Sequence, residues 1–328
     1  METFLYAFHA IAPILLTIAL GFVVRRLGKW DGAFYKKLNG LCFHLFLPIN
    51  LFCNVYGVRD LSEMNWLLMG FIILGILAAL VLGWAASRLL VPDRSQKGVM
   101  IQASFRANHA ILGLPLAESL GGSAAMGFAS LTTAVCVPVY NVLAVLVLSY
   151  YGEAERPSGK ELAKRVVNNP LIIATMLAIA CVLIRNLLGL QEPLLNKLPS
   201  VYAALQNLSK IASPLMIFVL GAGLDFRSVG KLLPKVTIGV LLRLVLSPVL
   251  VIGTALLLHE SLQLSVTEMP AMIAACASPV AVSSAVMASS MGNDEQLATQ
   301  LVVWTSICSI ATIFLQVCVL MGAGLLAV

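Results

Sequence analysis

Charged residues are scarce in this chain, and that scarcity excludes most soluble folds. Only 11% of its 328 residues are Asp, Glu, Lys or Arg, where soluble domains carry about 25%. Hydrophobic residues make up 60% and mean hydropathy is +0.96. No water-soluble core hides that much apolar surface, so lipid is the solvent for most of it. Acidic residues never pair within an apolar stretch, which removes an intramembrane aspartyl mechanism. The sequence has no HExxH, no GxSxG and no Gly-rich loop ending in Gly-Lys-Ser/Thr, so the common hydrolase and nucleotide-hydrolysing signatures are missing. Seven cysteines form no CxxC pair and sit beside no histidine cluster, which leaves disulfide and zinc frameworks without support. No enzyme, cofactor or metal site is expected.

The net charge of +6 lies in short clusters between apolar runs. Anionic lipid headgroups are therefore the simpler partner, and nucleic acid is not expected. At the N-terminus the short apolar core and cleavage site of a removable signal are missing, so Phe4–Val24 reads as a retained first helix.

What is present is a succession of apolar runs, each near the roughly 20 residues that a helix needs to cross the hydrocarbon core. They place spans near 4–25, 33–57, 64–90, 97–120, 124–150, 166–189, 199–224, 231–258, 267–290 and 294–326. The longest polar connection, residues 151–165, predicts a cytoplasmic loop. The expected organisation is a first repeat at 1–150, that loop, and a second repeat at 166–328. With the N-terminus outside, fifteen Lys and Arg residues, from Arg25 to Lys235, face the cytoplasm and only Arg59, Arg185, Lys197 and Lys210 the other side. By the positive-inside rule this predicts a multi-pass protein of the plasma or inner membrane with both termini non-cytoplasmic.

Two of the spans are interrupted. The fourth carries Asn108 and then Gly113-Leu114-Pro115, and the ninth carries Ser278-Pro279. They hold matching places in the two halves. Pro48-Ile49-Asn50-Leu51-Phe52 and Pro214-Leu215-Met216-Ile217-Phe218 also correspond, as do Ser119-Leu120-Gly121 and Ser290-Met291-Gly292. A repeat of five helices is odd in number, so its second copy enters from the opposite face. The expected fold is all-α, ten transmembrane helices in two inverted five-helix repeats, with helices 4 and 9 broken and crossing. Helices broken at equal depth expose backbone dipoles near the midplane, where secondary transporters hold their cargo.

Polar side chains inside spans are costly and mark candidate sites. Asn108 can donate to a carboxylate, or cap a broken helix, and both uses fit one residue. Arg106 lies about 13 Å into its span at the α-helical rise, as counter-charge to an anion or as a fixed structural charge. Arg243 is equally deep, and a structural role is preferred for it. Ser278 and Pro279 free carbonyls and helix ends in the ninth span. Asn50, one turn from Asn54, and the Tyr140-Asn141 pair fit either a cavity lining or interhelical hydrogen bonds. Glu118, His109 and His44 are candidate proton carriers. Gly113, Pro115 and Pro279 are the expected hinges.

At Asn108-His109-Ala110-Ile111-Leu112-Gly113-Leu114-Pro115-Leu116 the chain resembles the auxin efflux carrier family, which holds the plant PIN carriers and many bacterial relatives, some linked to malonate or other organic acids. Leu47-Pro48 with Phe52, Tyr140, Ala277-Ser278-Pro279 and Gly292-Asn293-Asp294 extend the likeness over the whole chain. The resemblance also reaches the wider bile-acid, arsenite and riboflavin transporter superfamily. It implies crossed fourth and ninth helices at the substrate site, a moving transport part and a scaffold that often dimerises. It implies a carboxylate-binding asparagine at Asn108, a crossover proline at Pro279, a tyrosine at Tyr140 and pocket contacts just after Pro48. The chain departs from the plant pattern at Ala107, where those members have proline, and at Arg106, where they have an apolar residue. The expectation is a homodimeric carrier of a small organic anion working by alternating access. The alternative is an H⁺- or Na⁺-coupled symporter of another solute, bile-acid-like or auxin-like.

Overall fold

The computed structural model describes residues 2–57, 65–152, 157–188, 195, 198–225, 229–258, 262 and 268–322. The chain is all-helical there, its one departure a lone antiparallel bridge between Ala107 and Val280. We number the helices α1 (Glu2–Arg26), α2 (Gly32–Tyr56), α3 (Trp66–Leu90), α4 (Arg94–Phe105), α5 (Leu114–Tyr151), α6 (Gly159–Val167), α7 (Pro170–Leu187), α8 (Pro199–Gly223), α9 (Gly230–Leu257), α10 (Glu268–Ala277), α11 (Ser283–Ser290) and α12 (Glu295–Gly322). Among the described residues, seven are long and apolar enough to cross a membrane: α2, α3, α5, α7, α8, α9 and α12. The shorter α4, α10 and α11 are almost wholly buried among them.

Proline shapes the helices in a way that spacing alone does not reveal. Three five-residue π turns, Cys42–Phe46, His109–Gly113 and Leu242–Leu246, each precede an X-Pro pair. A proline ring collides with the carbonyl four residues back and offers that carbonyl no N–H. Here the residue before each proline reaches back five positions instead. Leu47 donates to Cys42, Leu114 to His109 and Ser247 to Leu242. The wider turn relieves the collision and the helix continues.

This corrects one expectation. Gly113 and Pro115 do not break the fourth span; both lie in continuing helix. The backbone leaves the helix earlier, at Arg106 (ψ 98°) and Asn108 (ψ 52°). What Gly113 provides is proximity: a Cβ there would stand 2.9 Å from the Ala274 carbonyl oxygen of α10. Eight residues later α5 kinks at Gly121 and Gly122, and the φ of +67° at Gly122 is one that L side chains avoid.

Part of the polar connection, Gly159–Val167, is helical where a loop is expected up to residue 165. Ser158 caps α6 in a reciprocal box: its hydroxyl accepts from the Glu161 N–H, and the Glu161 carboxylate accepts from the Ser158 N–H. Those bonds hold the Glu161 carboxyl below the usual carboxylate range. Val166 and Val167 belong to α6, and the next spanning helix starts at Pro170 behind an Asn169 cap.

α1 and α8 approach until their backbones touch. A Cβ on Gly21 would stand 2.1 Å from the Phe218 carbonyl oxygen, and one on Gly221 would stand 2.0 Å from that of Ile18. Small residues permit such contact between membrane helices. Gly21→Ala is expected to cost about 1–3 kcal/mol by overpacking, read as a lower Tm of the purified protein in detergent. Gly70→Ala, where a Cβ meets nothing within 4 Å, is expected to leave Tm in place.

Candidate functional site

The two helix breaks meet. Asn108 N–H donates to the Pro279 carbonyl at 2.8 Å, and Ala281 N–H donates to the Arg106 carbonyl at 3.1 Å. Three residues of each chain segment thus pair as a minimal two-stranded ladder, and each break supplies partners for the other. Val280 N–H finds the Thr305 hydroxyl of α12 at 3.1 Å. An unpaired backbone group in lipid costs several kcal/mol, which is why the breaks must meet if either is to exist.

The helix C-termini at the crossing face Arg243. Its Nε donates to the Ser278 carbonyl at 2.8 Å and its Nη2 to Cys276 at 3.1 Å. Nη1 reaches the carbonyls of Phe105 at 3.2 Å and Ser104 at 3.4 Å. One guanidinium therefore caps both α4 and α10, and its charge opposes the negative ends of their dipoles. Ser247 Oγ donates to Ser104, Ser278 Oγ to Ala274 at 2.5 Å, and Tyr140 OH to Ala275 at 3.3 Å. The structural role expected for Arg243 is the one its contacts describe.

On the other side of the crossing lies a cavity of about 180 Å³. The start of the His109 turn and the start of α11 border it, so it receives positive helix ends. Arg106 lines it, 4% exposed. Its Nη2 donates to Asn141 Oδ1 at 2.8 Å and to Ser283 Oγ at 3.0 Å, and its Nη1 contacts the Met287 sulfur. All three partners are neutral, and among the described residues no acidic one lines the cavity. The Nδ2 groups of Asn108 and Asn141, both buried, have no acceptor.

Of the residues singled out from the sequence, Asn108, Arg106, Asn50, Tyr140 and Asn141 line this one cavity. Asn50 also ties α2 to α8 through Ser209 Oγ at 3.1 Å, and Asn54 donates to Asn50 at 3.2 Å. Ser278 and Pro279 stand behind the wall, their carbonyls spent on Arg243 and Asn108. Ala281, Val282 and Ser283 take the lining position instead. His109 is in the wall, with Nε2 3.1 Å from the Ala129 carbonyl and Nδ1 without a partner. His44 bonds to its own helix at Gly40, and Glu118 is exposed away from the cavity. Of the two serines that the sequence offers as oxygen ligands in the ninth span, Ser278 and Ser283, only Ser283 lines the cavity. Among the described residues no group of three His, Cys, Asp or Glu side chains forms a metal cage, and all seven cysteines are free.

A second hollow, about 640 Å³, opens between α2, α5 and α8 and shares Asn54 with the first. Lys210 lines it. At the opposite end of α2, Asn39 Nδ2 donates to Ser290 Oγ of α11 at 3.1 Å. Nearby, Gln296 and Gln300 of α12 donate to the carbonyls of Gly223 at 3.1 Å and Asp225 at 3.2 Å, at the end of α8.

Comparison with known proteins points to membrane transport. An uncharacterized transporter of Methanothermobacter thermautotrophicus is 26% identical over 317 residues, covering 94% of this chain and 97% of that protein. The family model described as membrane transport protein matches residues 6–317. The chain belongs to that family, the auxin efflux carrier family of membrane transporters.

Proposed function

We propose that the protein is a secondary carrier of a small organic anion, binding a carboxylate in the cavity beside the crossed breaks. The observation that carries this is Arg106: a buried cation with only neutral partners, next to two buried amide groups with N–H donors to spare. A carboxylate supplies the acceptors and the charge that these groups lack. A cavity of 180 Å³ matches about six water molecules, which favours a compact carboxylate over a steroid-sized solute.

The breaks and the order of the helices support ten crossings in two inverted five-helix repeats, 1–150 and 166–328, joined by residues 151–165. The charge bias supports a cell-membrane protein with both termini outside. In this arrangement α1, α2, α7 and α8 form a scaffold, and the crossed helices rock against it. The amide contacts of Asn39, Gln296 and Gln300 then close the cytoplasmic side. The hollow at Lys210 opens to the other, where its charge draws anions inward. His109, which lines the cavity, favours H⁺ coupling as the second reading.

The test is uptake of radiolabelled small carboxylates into proteoliposomes, with and without H⁺ and Na⁺ gradients, for the wild type and Asn108→Ala. Loss of one hydrogen bond to a charged group is worth about 1.5–3 kcal/mol. Asn108→Ala is therefore expected to weaken carboxylate binding by roughly 10- to 150-fold, while Tm and membrane insertion stay as in the wild type. Uptake of no carboxylate under any gradient, or unchanged affinity in the variant, overturns the reading.

A further inference from the structure

Apart from the cavity at the crossing, a groove of about 700 Å³ runs between α3, α4 and α5. Its two ends differ in chemistry. One end gathers Arg88, Arg94 and Lys97, and among the described residues no acidic one lines the groove. Leu80, Ile101 and Leu146 form an apolar floor beyond them. Arg88 and Leu80 lie eight residues apart on α3, about 12 Å at the helical rise. The groove thus passes from a triple positive charge to hydrocarbon over the depth of a headgroup and the first acyl segments.

Aromatic rings hold the cations at that boundary. The Arg88 guanidinium stands 5.4 Å over the Trp84 ring, and that of Arg94 stands 5.1 Å over Tyr150. Arg94 also donates to the Tyr150 carbonyl. Stacked guanidiniums are oriented before any ligand arrives. The first turn of α4 carries no acidic residue, and the Asp93 side chain does not cap it, so its N–H groups add to the positive end.

We propose that this groove is a binding site for one anionic phospholipid, its phosphate between Arg88, Arg94 and Lys97 and its acyl chains along Leu80, Ile101 and Leu146. A soluble phosphate would meet the positive end and leave the apolar floor bare. A zwitterionic lipid would cover the floor and bring a choline cation against three others. An anionic lipid matches both ends. The site is independent of the transport reading, since none of its residues touches the crossed breaks.

The full-length protein, delipidated in uncharged detergent, would be titrated with phosphatidylglycerol, phosphatidylcholine or inorganic phosphate, following Tm and bound lipid by native mass spectrometry. Phosphatidylglycerol is expected to raise Tm and to leave one retained lipid per chain, and the other two to do neither. Arg88→Gln with Lys97→Gln is expected to lower phosphatidylglycerol affinity at least tenfold. The charge-keeping pair Arg88→Lys with Lys97→Arg is expected to retain it, which separates lost binding from lost folding. Lys160→Gln with Lys164→Gln, on α6, is expected to change nothing. Equal shifts from phosphatidylcholine or phosphate, unchanged affinity in the Gln pair, or equal loss in the α6 pair would each overturn the assignment.

Discussion

Arg243→Leu is expected to destabilise the protein by about 3–5 kcal/mol, the scale for stripping donors from several buried acceptors at once. Leucine fits the apolar surroundings and removes every donor that faces the two helix ends. The carbonyls of Phe105, Cys276 and Ser278 then lose their recorded side-chain partner, and Ser104 keeps only Ser247. In a water-free interior these acceptors have nowhere to turn. The two negative helix ends also lose the charge that separates them. A fall in Tm of roughly 4–7 °C follows by the usual scaling with chain length, with transport lost alongside. Arg243→Lys keeps the charge but offers a point donor where a planar fork is required. It should recover less than half of the stability. Circular dichroism melts of the purified variants check both, and a wild-type Tm for Arg243→Leu would mean that the capping bonds carry no weight.

How much of this site is legible in the sequence depends on the kind of interaction involved. Asn108 and Ser278-Pro279 are polar or helix-breaking residues in the middle of otherwise mainly apolar runs, so the breaks announce themselves. Their register does not. Pro115 suggests a break at its own position, yet a π turn absorbs it, and the backbone opens at Arg106–Asn108, where Pro279 and Ala281 wait as partners. That pairing is tertiary and leaves no local trace. Arg243 is visibly out of place in an apolar span, but the carbonyls it caps lie 33 to 139 positions away. Asn39, Gln296 and Gln300 escape notice for the opposite reason: near helix ends, polar residues are unremarkable. α6 was legible in principle. Ser158 followed by Glu161 is a capping box, and Leu162 with Val166 and Lys160 with Lys164 each repeat at the i, i+4 helical spacing.

Arg106→Leu is expected to separate binding from folding, with the opposite signature from the first variant. Arg106 and Arg243 are both buried deep between helices, and the difference lies in what they bond. Arg243 satisfies backbone that nothing else reaches. Arg106 bonds Asn141 and Ser283 side chains, each of which can turn to another neighbour, and it carries a positive charge opposed by no acidic residue in the cavity. Burying an unopposed charge is costly, so leucine removes a penalty together with two neutral-acceptor bonds. The two effects offset within about 1 kcal/mol, and Tm should hold or rise. Anion binding should fall by at least about 100-fold, or about 2.7 kcal/mol, since the cavity loses its one formal charge. Arg106→Lys should restore part of that affinity, because it keeps charge without the bidentate fork. Isothermal titration with the carboxylate that the uptake screen identifies, run beside thermal melts, reads both quantities on one preparation. A Tm loss as large as that of Arg243→Leu would make Arg106 a structural charge and remove the anion from the site. Retained affinity at wild-type Tm would move the anion elsewhere, and the polarity of the crossing would then need another purpose.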